Sequence, residues 1–173
     1  FEQRPTGRGQ VADIRQLADG SLILGLYTEN PKTQRVFGAT IKSYDGGKVW
    51  SDLAPIGERS GLYLDAETDV VALADGSLLA ALRSSRTDLY FASSADHGKK
   101  WSDVRSAGFK GHCPHFLRHS SGALLLTHRI PATAAHWSLD EGKTWNGPLQ
   151  IDSVGGAYPS SVESPDGKVY CVY

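Results

Sequence analysis

The sequence predicts an all-β fold built from repeated four-stranded antiparallel sheets, and three observations carry that prediction. One octapeptide skeleton, S-x-D-x-G-x-x-W, occurs three times, at Ser43 to Trp50, Ser94 to Trp101 and Ser138 to Trp145, and takes three of the four tryptophans. A turn that ends in glycine and leads into an apolar run recurs at Gly20, Gly76, Gly122 and Gly167, with separations of 56, 46 and 45 residues. Such a turn between apolar runs is a hairpin signal. No segment carries the 3.6-residue apolar period of a long amphipathic helix.

Each repeat reads as strand, glycine turn, strand, a third β-rich run, the octapeptide, and a fourth strand. The first hairpin is "LADGSLILGLY" (Leu17 to Tyr27), followed by the run Arg35 to Lys42 and the first octapeptide. The second is "LADGSLLAALR" (Leu73 to Arg83), followed by Asp88 to Ser93. The third is "RHSSGALLLTHR" (Arg118 to Arg129), followed by Thr133 to Trp137. The last, "ESPDGKVYCVY" (Glu163 to Tyr173), has a hairpin only. Four antiparallel strands about every 45 residues make one blade of a β-propeller. The expected blades are roughly 11–58, 63–107, 113–153 and an incomplete 157–173, so residues 1–173 read as one partial propeller. A closed ring of four would need a complete last blade. An open segment of a larger ring is favoured, with apolar faces and strand edges left exposed. With no methionine at position 1 and an ending inside the alternating run "GKVYCVY", the chain is expected to be a processed product or a piece of something longer.

Composition narrows the function. The formal net charge is −1 and 40% of residues are hydrophobic, which suits a globular core and implies no broad footprint for nucleic acid or anionic membrane. No apolar run approaches the roughly eighteen residues of a membrane span. Cys113 and Cys171 are too few for a disulfide scaffold. They read as two small buried side chains, with a single disulfide as the alternative. No cofactor is expected. "FKGHCPHFLRH" (Phe109 to His119) sets three histidines around Cys113, but the spacing matches no zinc pattern. His112 and His115 read instead as substrate contacts or as loop packing.

The octapeptide reads as a turn. Its aspartate can accept hydrogen bonds from the turn's own amides, and its glycine supplies positive φ. Its tryptophan lays an apolar face into the blade. Asp45, Asp96 and Asp140 are therefore expected to be structural.

A site can be sought by comparing positions between blades. The residue before each turn glycine serves as reference: Asp19, Asp75, Ser121 and Asp166. Eight residues after it stand Tyr27, Arg83 and Arg129. Arginines at one place on consecutive blades are either solvated strand ends or two guanidiniums converging on one ligand. Eight residues before it stand Val11, Glu67, Cys113 and Tyr158, on the approach to each innermost strand. Two arginine forks suit a substrate carboxylate. A sugar with a carboxylate beside its anomeric carbon repels a carboxylate nucleophile, and a neutral tyrosine avoids that. Tyrosine is protonated at neutral pH and needs a base. Glu67 would serve.

These segments resemble the sialidase (neuraminidase) superfamily, whose Asp-box or BNR repeat the octapeptides match. "ETDVVALADGSLLAALR" (Glu67 to Arg83) looks like the segment in which the catalytic glutamate precedes a hairpin ending in a triad arginine. "HRIPATAAHWSLDEGKTW" is similar to the segment where another triad arginine, here Arg129, precedes the last Asp box. "GGAYPSSVESPDGKVYCVY" resembles the segment opening with the nucleophilic tyrosine, here Tyr158. The resemblance implies a sialidase-type propeller, about three and a half blades of an expected six. It also implies Tyr158 and Glu67 as catalytic residues, Arg83 and Arg129 as substrate-binding residues, and Asp boxes on the rim. The implied activity is a retaining exo-glycoside hydrolase cleaving a terminal carboxylated sugar such as sialic acid from glycans, in an extracellular or periplasmic setting. Sialidases are exceptions to the two-carboxylate rule of glycosidases in using a tyrosine nucleophile.

Two features depart from the family pattern. The early arginine of an Arg-Ile-Pro motif is missing from "GQVADIRQLADG", where Arg8 and Arg15 are out of register, and Arg129-Ile130-Pro131 follows a second strand instead. Ahead of the first Asp box, "YTENPKTQRVF" offers only Glu29 where the family places its general-acid aspartate. A superfamily glycosidase for another sugar, or a noncatalytic propeller that binds glycan or protein, are the competing functions.

Overall fold

The computed structural model describes residues 11–153 and 156–173. Arg8 lies outside them. Three four-stranded antiparallel meanders and one two-stranded sheet make up the fold, with neighbours in chain order throughout. The first blade is β1 (Val11–Gln16), β2 (Leu22–Glu29), β3 (Val36–Ser43) and β4 (Ala54–Ile56). The second is β5 (Thr68–Ala72), β6 (Leu78–Leu82), β7 (Tyr90–Ser94) and β8 (Arg105–Ser106). The third is β9 (His112–Arg118), β10 (Leu124–Arg129), β11 (Thr133–Ser138) and β12 (Asn146–Asp152). A last hairpin pairs β13 (Ser160–Glu163) with β14 (Val169–Val172). No helix occurs among the described residues.

Apolar runs become second strands because a blade is covered on both faces. All five residues of β6 are buried. Leu78, Ala80 and Leu82 pack with Ile23, Ile56 and Val70 toward the first blade. Leu79 and Ala81 pack with Phe91, Phe116, Leu124 and Leu126 toward the third. A strand buried on both faces reads as a continuous apolar run, which "LLAAL" is. The first and second blades approach closely: a Cβ on Gly25 would lie 1.8 Å from the Thr68 carbonyl oxygen. By contrast Val162, Tyr170 and Val172 on the last hairpin are exposed, at 60%, 55% and 74%.

The octapeptides form the turns between third and fourth strands. In the first, Ser43 Oγ donates to Asp45 Oδ1 at 2.8 Å, and Asp45 Oδ1 accepts from the amides of Lys48 and Val49. The serine bond and the bond from the amide four residues after the aspartate recur at Ser94 and Asp96, and at Ser138 and Asp140. The Val49 amide foremost holds Asp45 below the usual carboxylate range, the Lys100 amide does so for Asp96, and the Thr144 hydroxyl brings Asp140 to about 2. The residue before each box glycine has positive φ: Gly46, then His97 at 58° and Glu141 at 60°. Glu141 offsets that strain with a bond to the second blade. Its carboxylate accepts from the Ala74 amide at 2.9 Å and from Arg118 at 3.0 and 2.7 Å. Trp50 Nε1 donates to the Gly47 carbonyl of its own turn at 3.1 Å, whereas the other two box tryptophans reach beyond their own blade. Trp101 Nε1 donates to Thr40 of the first blade at 3.1 Å, and Trp145 stacks on Phe91 of the second at 5.2 Å. Both cysteines are free; Cys113 is buried and Cys171 partly so.

Candidate active site

The inner strands bring the offset positions together. In the second blade, Glu67 and Arg83 face each other at the open end of the β5–β6 pair, where the Arg83 amide donates to the Glu67 carbonyl at 3.0 Å. Arg83 Nη1 reaches both carboxylate oxygens of Glu67, at 3.1 and 3.0 Å, and both side chains are largely buried. Beside them the carboxylate of Asp65 accepts from the amide and hydroxyl of Ser85.

The third blade builds the same corner differently. Thr127 pairs with His115, but Arg129 pairs with His112, so β9 carries one extra residue. This is a β-bulge, a device that re-aims side chains beside a site. Cys113 occupies it with a φ of 52°. Its Sγ accepts from Arg129 Nε at 3.2 Å. Ile130, next to Arg129, has a φ of 74°, a strained value for a β-branched residue.

Tyr158 comes from the approach to β13. It is 55% exposed, and the Arg129 guanidinium carbon lies 5.6 Å from its ring centroid. His112 sits among the group. Burial first, then the positive charges of Arg83 and Arg129, lower its pKa, while Glu67 and Asp65 act in the opposite sense. The bond to Cys113, with the nearby Tyr158 and Glu67, raises that of Arg129 against the opposing effect of burial. Glu67, Arg83, His112, Arg129 and Tyr158 thus form one electrostatic neighbourhood drawn from three sheets. Two interblade clefts, one flanked by Asp75, Arg105 and Glu141 and the other by Glu58 and Trp101, contain none of these five.

His115 is placed apart from that group. It is buried, its Nδ1 accepts from the Ser161 amide at 3.2 Å, and its Nε2 lies 2.8 Å from Asp13 and 3.3 Å from Ser160 Oγ. With Nδ1 accepting, the ring proton is on Nε2 and points to Asp13. It ties β13, and with it the approach carrying Tyr158, to the third blade. Asp45, Asp96 and Asp140 lie in the turns already described.

A polar network along the inner strands went unnoticed in the sequence. Arg15 forks onto both oxygens of Asp69 and also donates to the Phe116 carbonyl at 2.9 Å. Asp69 is 1% exposed and accepts from the Phe116 amide at 2.7 Å. One carboxylate therefore links three blades. The signal was present: six residues before each reference stand Asp13, Asp69, His115 and Ser160, a polar residue at the same offset in every blade. No cluster of metal-ligating side chains occurs among the described residues.

The model of the BNR repeat-like domain matches residues 9–171. Among curated proteins, none matches. Solved structures do. The Fusarium graminearum GH93 α-L-arabinofuranosidase is 17% identical with a TM-score of 0.75, over 98% of this chain and 58% of that one. The Trypanosoma rangeli sialidase is 19% identical with a TM-score of 0.72, over 99% and 30%. The Ruminococcus gnavus intramolecular trans-sialidase is 21% identical with a TM-score of 0.68, over 90% and 37%. The likeness is one of fold, and the chain spans less than two thirds of each.

Proposed function

The chain belongs to the BNR repeat-like domain family of Asp-box proteins with the sialidase-type propeller fold, and from that premise we propose that it forms the catalytic part of a retaining exo-glycoside hydrolase acting on a terminal carboxylated sugar. The observation that carries the reading is the Arg129 guanidinium 5.6 Å from the Tyr158 ring, with Glu67 of the second blade within electrostatic reach of that arginine. Arg83 and Arg129 receive the sugar carboxylate. Neutral His112 contacts a hydroxyl. Glu67 takes the phenolic proton as Tyr158 Oη bonds to the anomeric carbon and the glycosidic C–O bond breaks, and the departing aglycone oxygen takes a proton from solvent. Water then attacks the same carbon and gives up a proton to solvent as the bond to Tyr158 breaks, and the phenol recovers its proton from Glu67.

A neutral sugar is the second reading. It is favoured by the pairing of Arg83 with Glu67, which cancels one positive charge, and by the likeness to the Fusarium arabinofuranosidase.

Release of a fluorescent aglycone by the full chain tests both, with sialosides and arabinofuranosides side by side. The first reading expects release from the acidic glycoside and a loss of at least about a thousandfold in Tyr158→Phe. Release from the arabinofuranoside alone transfers the case to the second. Release from neither, with glycan still bound, leaves a noncatalytic propeller.

A further inference from the structure

The two arginines occupy one position in consecutive blades, but their partners differ in charge. Arg83 meets a carboxylate, with both Glu67 oxygens on Nη1. Arg129 meets a thiol, with Cys113 Sγ on Nε. Cys113 is 4% exposed, and burial foremost pushes the thiol up, so it is uncharged at neutral pH. Among the described residues, no carboxylate lies within ion-pair distance of Arg129, and no hydrogen bond engages its Nη1 or Nη2. A guanidinium held at Nε can turn only its Nη edge to a ligand, end-on.

We infer that Cys113 is a positioning and specificity-determining residue, which fixes the Arg129 fork through Nε without cancelling its charge and so makes Arg129 the receptor for an anionic group of the substrate. A carboxylate on Nε would hold the fork equally well but offset its charge, as Glu67 does for Arg83 through Nη1, so Arg129 carries the larger share of the attraction for the anion. The sequence offset that pairs Glu67 with Cys113 therefore marks one structural post filled in two electrostatic ways. The inference rests on the acidic-sugar reading above.

The left-handed φ of Cys113 sets the choice of variants, since Asn, Asp and Gly accept that conformation and β-branched residues do not. Calorimetric titration of the full chain with 2-deoxy-2,3-dehydro-N-acetylneuraminic acid, and with arabinobiose as the neutral sugar, is the test. Cys113→Asn keeps a neutral acceptor and is expected to bind the acid within about threefold of the wild type. Cys113→Asp is expected to weaken it at least about tenfold with no change toward the neutral sugar, a contrast that a merely structural role would not produce. Should Cys113→Asp not fold, Cys113→Gly releases Nε and is expected to weaken the acid about fivefold. Undiminished binding of the acid by Cys113→Asp, or by Cys113→Gly in its place, overturns the inference. A wild type that binds no acidic sugar sinks the acidic-sugar reading instead. Cys113 is then judged by a crystal structure of Cys113→Gly: a displaced Arg129 fork supports its positioning role, and an unmoved one ends it.

Discussion

At the rim, three turns repeat the same hydrogen bonds with the same residues. Along the inner strands, successive blades fill one offset with different residues: Val11, Glu67, Cys113 and Tyr158 at one level, and Asp13, Asp69, His115 and Ser160 at the next, where only the aspartate repeats. The rim turn satisfies itself. Serine, aspartate and glycine bond within eight residues, so every blade needs the same set. Asp69 and His115 on the inner strands meet partners from other blades, so what each position needs depends on what its neighbours present. Identity carried through every repeat thus marks local work, and variation at a fixed offset, as in Tyr27, Arg83 and Arg129, marks work done between blades.

The comparison breaks most visibly at Asp69. Replacing it with alanine leaves the Phe116 amide and Arg15 without their acceptor, and a cost of about 3–5 kcal/mol is expected by denaturant unfolding. A loss no larger than that of a rim change would erase the distinction. Next comes Arg83→Lys, where a point charge replaces a fork. A fall of about a hundredfold in kcat/KM is expected, and near-normal turnover would remove Arg83 from the clamp.

Acid separates the regions by pH. Behind the site, buried His128 and His136 share a proton at 2.9 Å, and burial foremost brings His128 to about 4 and lowers His136. The unfolded chain binds protons on these rings from about pH 6.5 downward, whereas the folded one binds that of His128 only near 4 and that of His136 at lower pH than the unfolded chain does. Stability is therefore full above 6.5 and declines as pH falls from there toward 4. Between pH 7.5 and 5 the loss from His128 is about 2 kcal/mol. The rim aspartates have depressed values. They favour the fold above the ordinary carboxylate pKa and lose that contribution only below about pH 4. Unfolding curves across pH 7.5 to 5 in the wild type and His128→Leu check this, and a flat wild-type curve contradicts it. Asp140→Ala is the smallest change, with a slight fall in melting temperature and activity kept. Lost turnover with unchanged stability would move the Asp box out of the rim.

Much of this was legible because the repeats are short-range. The octapeptides and glycine turns located β2, β3 and β6 within a residue or two, and counting from Asp75 and Ser121 set Glu67 against Arg83 and Cys113 against Arg129, which the structure pairs. The bulge at Cys113 was not legible, since an extra residue in a strand leaves no mark in composition. Nor was the direction of His115, which depends on Asp13 and Ser161 from two other sheets. The box tryptophans were expected within their own blade, but Trp101 and Trp145 bridge to the preceding one because the blade stack offers apolar surface there.

The most direct test is covalent trapping. A 2,3-difluorinated acidic sugar is mixed with the full chain, and the modified peptide is read by mass spectrometry. A sugar bound by the arginines of the second and third blades is expected to end on the Tyr158 oxygen of the fourth. An adduct on Glu67, or turnover of acidic glycosides with no adduct on Tyr158, would contradict the convergence of the inner strands on one reacting carbon.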